Sequence, residues 1–261
     1  MSRIISTGKT LASEGFYKKK LQIRRKKILI FSAIILVLLI VLVLVLRLKS
    51  LQIKDIEVVG AEVIGADAVA ERVNEFISGH YLWLIPKNSI FIYPDGSLKE
   101  FLFKSFPRFS FINLSLSNPE RLVVSVVERE PFALYCVQDV CYFLDESGFI
   151  FDQAPYFSQG VYFVYRSEVL FEEPIGKQFV SESEFWTLSE FIKTLEGETL
   201  EMGESLVLIT KNGVKIIWNR GSDLNKLSVN LEAFLNNPAI DQSRLSELDL
   251  RTENKVFYRT K

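Results

Sequence analysis

ILIFSAIILVLLIVLVLVL, running from Ile28 to Leu46, contains no charge, proline or glycine. As a helix rising about 1.5 Å per residue it would reach roughly 28 Å, close to the ~30 Å hydrocarbon thickness of a bilayer. With only Ser32 and Ala33 diluting Leu, Ile, Val and Phe, insertion is favoured by roughly 5 to 10 kcal/mol. The run has no polar face, which argues against a helix buried in a soluble core. Residues 28–46 are therefore expected to form a transmembrane helix, with residues 1–27 as a basic tail on one side and the rest of the chain on the other.

The flanks give the direction. Arg3, Lys9, Lys18, Lys19, Lys20, Arg24, Arg25, Lys26 and Lys27 precede the run against the single acid Glu14, whereas Arg47, Lys49 and Lys54 follow it among Asp55 and Glu57. The positive side stays in the cytoplasm, so the expected arrangement is single-pass in the cytoplasmic membrane, N-terminus inside and folded part outside. Arg47-Leu48-Lys49-Ser50 offers no small-x-small cleavage site, so the helix is read as a retained anchor rather than a signal peptide. Balanced totals, 31 Lys plus Arg against 32 Asp plus Glu, argue against a nucleic-acid binder.

Beyond the membrane, Ile53–Val59 alternates apolar and charged residues and stops at Gly60, the pattern of a half-buried strand. From Asp67 to Ser78, Val69, Val73, Phe76 and Ile77 share one helical face, and Leu98, Phe101 and Leu102 make a shorter one ending before Pro107. A loop with Pro86 and Pro94 lies between them. Arg108–Ser117 is extended but changes phase near Phe111, so a bulge or late strand start is expected there. A turn at Asn118-Pro119-Glu120-Arg121 leads into a strand over Leu122–Val127. Strand, helix, helix, strand, strand is the order of a two-layer α+β module over residues 51–130.

In the remainder, residues 131–261, a strand-rich domain with packed helices is expected. Cys136 and Cys141 flank Val137-Gln138-Asp139-Val140, read as a hairpin loop. Outside the cytoplasm a local disulfide is the expectation, with two buried free thiols as the alternative. Phe185, Leu188, Ile192 and Leu195 form a helical stripe over Ser181–Leu195, and Leu224, Leu227, Leu231, Phe234 and Leu235 form another over Asp223–Leu235, before Pro238. Asn212-Gly213 joins two apolar runs, Ser205–Lys211 and Val214–Asn219, and suits a two-residue type I′ hairpin.

The strand-helix-helix-strand-strand order directly after a single span resembles a POTRA domain. Val127-Glu128-Arg129-Glu130-Pro131-Phe132-Ala133 then resembles the V-E-R-x-P-x-A boundary phrase of the FtsQ/DivIB family of bacterial division proteins. Tyr142–Phe151, with Asp145-Glu146-Ser147-Gly148 as its D-x-x-G turn, is similar to that family's hairpin, and Pro174-Ile175-Gly176-Lys177 has its counterpart before the next helix. Leu248-Asp249-Leu250-Arg251 and Asn254-Lys255-Val256-Phe257-Tyr258 resemble the closing strand pair. One departure is Ile64-Gly65-Ala66-Asp67, where the family has a Val-Ser or Val-Thr helix start, so the cap falls to Asp67 or Gly65.

The resemblance implies a non-enzymatic scaffold at the division septum, without catalytic residues, cofactor, metal or small-molecule substrate. It would bind FtsB/DivIC-type and FtsL-type single-span partners and so support septal peptidoglycan synthesis. The expected mode is strand addition at the carboxy-terminal edge, with Lys255, Val256, Phe257 and Tyr258 supported by Leu248, Asp249, Leu250 and Arg251. The competing class is a membrane-anchored glycan hydrolase using paired carboxylates, for which Glu128 with Glu130 and Glu172 with Glu173 are the candidates. Asp249 and Arg251 read as a local ion pair, Trp186 and Trp218 as core or interface packing, and the single histidine, His80, as a surface residue without converging metal ligands.

Overall fold

The computed structural model describes residues 14–118, 120–157, 160–168 and 172–261. The basic tail before Glu14, the side chains of residues 14–18 and the turn residue Pro119 lie outside the described residues. The protein is a mixed α+β chain with a strand-rich sheet behind an N-terminal apolar helix.

That helix, α1, runs Glu14–Leu46. It therefore begins well before the expected span, because the Lys- and Arg-rich stretch preceding Ile28 contains good helix formers and no proline. Its segment Lys19–Leu46 is long and apolar enough to cross a membrane and is exposed along most of its length. Val43 is half-buried and Leu46 is buried, so the last turn is already held by protein.

Next come β1 (Asp55–Val59), α2 (Ala66–Ile77), the short strands β2 (His80–Tyr81) and β3 (Ile85–Pro86), α3 (Asp95–Ser105), β4 (Phe109–Asn118) and β5 (Arg121–Glu128). The first sheet has the order β1-β5-β4, and β2 pairs with β3 in a ribbon of its own. Helix α2 buries Val69, Val73 and Ile77, and α3 buries Leu98 and Leu102, on the faces that the spacing marks out. Gly65, at φ +85°, immediately precedes α2, with Asp67 in the first turn. The phase change in β4 is real: Phe109, Ile112 and Leu114 are buried while Phe111 is exposed. The ribbon β2–β3 falls where the sequence showed only a proline-containing loop.

The second sheet is built from β6 (Ala133–Val137), β7 (Val140–Leu144), β8 (Ile150–Gln153), β9 (Phe163–Ser167), α4 (Glu182–Thr194), β10 (Gly197–Met202), β11 (Ser205–Thr210), β12 (Lys215–Asn219), α5 (Leu224–Leu235), β13 (Leu245–Asp249) and β14 (Phe257–Thr260). Its order is β14-β13-β12-β11-β10-β9-β6-β7-β8. Strands β9 and β10 run parallel, as do β12 and β13, and each parallel pair requires a crossover, supplied by α4 and α5 respectively. Ser181 caps α4, and the Asp223 carboxylate accepts from the N–H groups of Asn225 and Lys226 at the start of α5.

Both helices share one core with the sheet, containing Tyr135, Tyr165, Phe185, Leu188, Ile192, Leu208, Trp218, Leu227, Leu231 and Leu248. Trp218 is fully enclosed against Phe191, whereas Trp186 on α4 is 65% exposed, so the two tryptophans have different roles. Burial pushes the Tyr165 phenol up to about 12, and its hydroxyl lies 3.0 Å from Ser189 Oγ. Strand β6 is buried throughout, as expected of a central strand covered on both faces: Leu134 and Cys136 join Phe143 and Phe151 in a second cluster opposite the helices.

Two hairpins differ from expectation. Val137 pairs with Val140, leaving only Gln138-Asp139 as the turn, with Gln138 at φ +53°. Cys136 and Cys141 thus face each other across adjacent strands and are joined by a disulfide, with Cα atoms 4.1 Å apart. At the other hairpin, Asn212-Gly213 is not a two-residue type I′ turn. Gly213 alone has positive φ (+77°), and its N–H donates to Thr210 O. Thr210 and Val214 close a loop of Lys211, Asn212 and Gly213, a type I turn followed by a left-handed glycine. Thr210 explains the preference, since its Oγ1 accepts the Val214 N–H at 3.1 Å and favours the longer loop.

The chain divides into two compact units. One holds the chain up to Glu57 with Ala70–Asp95 and Ser115–Val123; the other holds Val58–Val69, Gly96–Leu114 and Val124–Lys261.

Candidate functional site

Strand β14 is the terminal strand of the nine-stranded sheet, bonded on one side to β13 and to no described strand on the other. Leu248 pairs with Tyr258 and Asp249 with Phe257, while a register shift between Leu245 and Glu247 bends the start of β13. Residues alternate across a strand, so Tyr258 shares the helix-facing side with buried Leu248, and its ring lies 5.3 Å from that of Phe234 on α5. Phe257 and Arg259 occupy the opposite face with Asp249 and Glu247. Phe257 is 55% exposed and Tyr258 50%. All four residues of β14 are exposed, so the strand presents both unpaired main chain and two aromatic rings.

The supporting segment is braced locally. Asp249 Oδ1 accepts the Arg251 N–H at 3.0 Å, and the Arg251 guanidinium forks onto the same carboxylate at 2.9 and 2.6 Å. These hydrogen bonds from Arg251 hold the Asp249 carboxyl below its usual range. Arg251 O accepts from Asn219 Nδ2, Leu250 N–H donates to Ile217 O, and Asn254 turns the chain at φ +59°. Arg259 reaches Glu247 across the pair at 3.5 Å.

The eight expected docking residues therefore divide. Leu248 and Leu250 belong to the core and support β13; Asp249 and Arg251 hold each other; Val256 packs partly against the core. Lys255 is exposed before β14, and Phe257 and Tyr258 present the open edge.

The carboxylates considered for hydrolysis have other surroundings. Glu128 is nearly buried: its Oε1 accepts the N–H groups of Glu62, Val63 and Ile64 at 3.1 Å, and its Oε2 pairs with Arg108. β5 ends at Glu128, so Glu130 lies beyond the strand. Glu130 lines an open groove with Phe132, Glu146, Glu182 and Trp186. Glu172 and Glu173 are exposed, and it is the main-chain oxygen of Glu172, not a carboxylate, that accepts from Lys177.

Asp145, in the D-x-x-G turn, carries a role the sequence concealed. Its Oδ1 accepts from Ser147 N, Ser147 Oγ and Phe149 N, while Oδ2 is paired with Arg129. Arg129 in turn donates to Pro107 O and stacks 4.3 Å from the centroid of Phe149. Only the charge types and the turn motif could have pointed to this arrangement.

These features define a class: a strand-rich α+β chain behind an N-terminal apolar helix long enough for a single membrane crossing, with an open sheet edge at its C-terminal end. No protein-family model matches the chain, and no curated protein matches it.

Proposed function

We propose that the protein is a single-span scaffold of the FtsQ/DivIB type, with a POTRA module after the span and a second, strand-rich domain that binds partner proteins outside the cytoplasmic membrane. FtsB/DivIC-type and FtsL-type division proteins are the partners this reading names, and the septum is its place of action. The observation that carries it is the open position of β14, with Phe257 and Tyr258 exposed on opposite faces of a strand whose outer side has no described neighbour. A partner segment added there gains main-chain hydrogen bonds along the edge, and its alternate side chains meet Phe257 on one face and Tyr258 on the other. Local bracing by Asp249 and Arg251 keeps the receiving strand in register before the partner arrives.

Replacing Phe257 by lysine tests this directly. The side chain is exposed, so the variant is expected to unfold at the same denaturant concentration as the parent. Its capture of the partner pair in co-purification is expected to weaken at least about tenfold, equivalent to about 1.4 kcal/mol. Deletion of residues 255–261 should abolish capture. Undiminished capture by a folded Phe257→Lys chain would remove β14 as the site.

A further inference from the structure

The tip of the β2–β3 ribbon is the most exposed cluster of adjacent apolar side chains among the described residues outside α1. Leu82, Trp83 and Leu84 are 84%, 94% and 54% exposed. Leu82 and Trp83 both have positive φ, +46° and +65°, and Leu84 N–H donates to Tyr81 O at 3.0 Å. Two successive left-handed residues in a hydrogen-bonded turn favour Asn and Gly, not a leucine and a tryptophan. In water this tip would combine backbone strain with exposed apolar surface, and no described part of the chain covers it.

The tip lies near the end of α1. Trp83 lines one hollow with His80 and with Arg47, the first residue after α1. The connection from α1 is pinned: Gln52 Nε2 donates to Arg47 O, Ile53 N–H donates to Asn88 O, and Ile90 N–H donates to Leu51 O. Buried Leu46 fixes the end of the helix against the same unit. Cations stand beside the ribbon as well. Arg47 and Lys49 are exposed, and Lys87 Nζ lies 5.5 Å from the Phe76 ring centroid and 5.7 Å from that of Tyr81.

We propose that Leu82-Trp83-Leu84 is a membrane-interface anchor, seated in the headgroup and upper acyl region of the bilayer that α1 crosses, with the exposed Arg47 and Lys49 facing lipid phosphates. Tryptophan is suited to that depth, because its ring is apolar and its indole N–H still reaches polar groups. Basic side chains beside it extend toward anionic headgroups. The anchor makes a second contact between the folded part and the lipid, and so fixes the tilt of the ribbon against the membrane surface. It rests on α1 spanning the bilayer.

The test uses the full chain in vesicles of phosphatidylcholine and phosphatidylglycerol, part of the phosphatidylcholine being brominated near the top of its acyl chains. Tryptophan emission is expected to be quenched by the brominated lipid. Trp83→Ser should lose the quenchable component, while Trp186→Phe should keep it. The double substitution Leu82→Asn with Trp83→Gly should also lose it and unfold no earlier than the parent in micelles, since both side chains are exposed and the new pair suits the turn. Equal quenching in parent and Trp83→Ser, or no quenching in either while the chain resists alkaline carbonate extraction, would overturn the anchor and leave the span intact. Extraction of the parent chain by carbonate would overturn the span and the anchor together.

Discussion

Replacing Gly60 by alanine is expected to destabilise the chain by at least about 3 kcal/mol, the range of substitutions that force a backbone out of place. Gly60 ends β1 at φ +88°, in the region that side-chain-bearing residues avoid. A Cβ there would overlap the main-chain oxygen of Val126 in β5, and a carbonyl in a sheet cannot swing aside as a side chain can. Either β1 separates from its neighbour or Val126 leaves its ladder. Gly65, also at positive φ, has open space for a methyl group, with nothing within 4 Å, so Gly65→Ala meets only the conformational penalty, about 1 kcal/mol or somewhat more. Urea unfolding of the two variants in micelles should separate them clearly, and equal midpoints would show that the close approach to Val126 is absent.

Asp145→Ala is expected to be nearly as severe, at about 3 kcal/mol. Three hydrogen bonds within the turn are lost at once, and Arg129, whose side chain is only 20% exposed, is left without its carboxylate. Asp145→Asn retains an oxygen for the Ser147 and Phe149 donors but sets an amide nitrogen, a donor, where Oδ2 accepted from Arg129, so the turn bonds are kept, the Arg129 pair is lost, and roughly half the cost is expected. The neighbouring Gly148 cannot absorb the change. It sits at φ +79°, and a Cβ would lie 2.6 Å from Phe185 Cγ, in the middle of the core contact between this turn and α4. Chemical unfolding of the three chains gives the order, parent above Asn above Ala; identical Asn and Ala midpoints would assign the whole effect to the Arg129 pair.

Periodicity made the span, α4 and α5 legible, because long elements with one covered face write their packing into the spacing of Leu, Ile and Phe. The hairpin around Cys136 and Cys141 was legible too, but not that its first strand takes in Val137 or that β9 lies parallel beside it. β10 was invisible: Gly197-Glu-Thr-Leu-Glu-Met contains little apolar pattern, and it is a strand because β9 and β11 flank it. Gly197 has room for no side chain there, with Ile192 and Leu208 atoms 2.7 Å from where a Cβ would stand. Long-range polar contacts were hidden for a different reason. Glu128 read as one half of a carboxylate pair with Glu130, yet it binds the main chain more than sixty residues earlier. At the candidate edge, the resemblance set the final strand pair at residues 248–251 and 254–258, whereas the strands are β13 and β14, overlapping those stretches only at Leu248, Asp249, Phe257 and Tyr258; this shift and the core positions of Leu248 and Leu250 depend on packing that no local pattern contains.

The central claim, docking by main-chain pairing along β14, is tested most directly by placing a photo-crosslinking amino acid in turn at Phe257, Tyr258, Arg259 and Thr260 of the full-length chain in growing cells. Strand addition sets the partner about 4.8 Å from β14 along its whole edge. Adducts to a single-span partner are therefore expected from both faces of the strand, Phe257 and Arg259 as well as Tyr258 and Thr260, and not from Asp152 on β8 at the opposite edge. A folded chain that forms adducts from β8 alone, or none from any β14 position, would contradict the account.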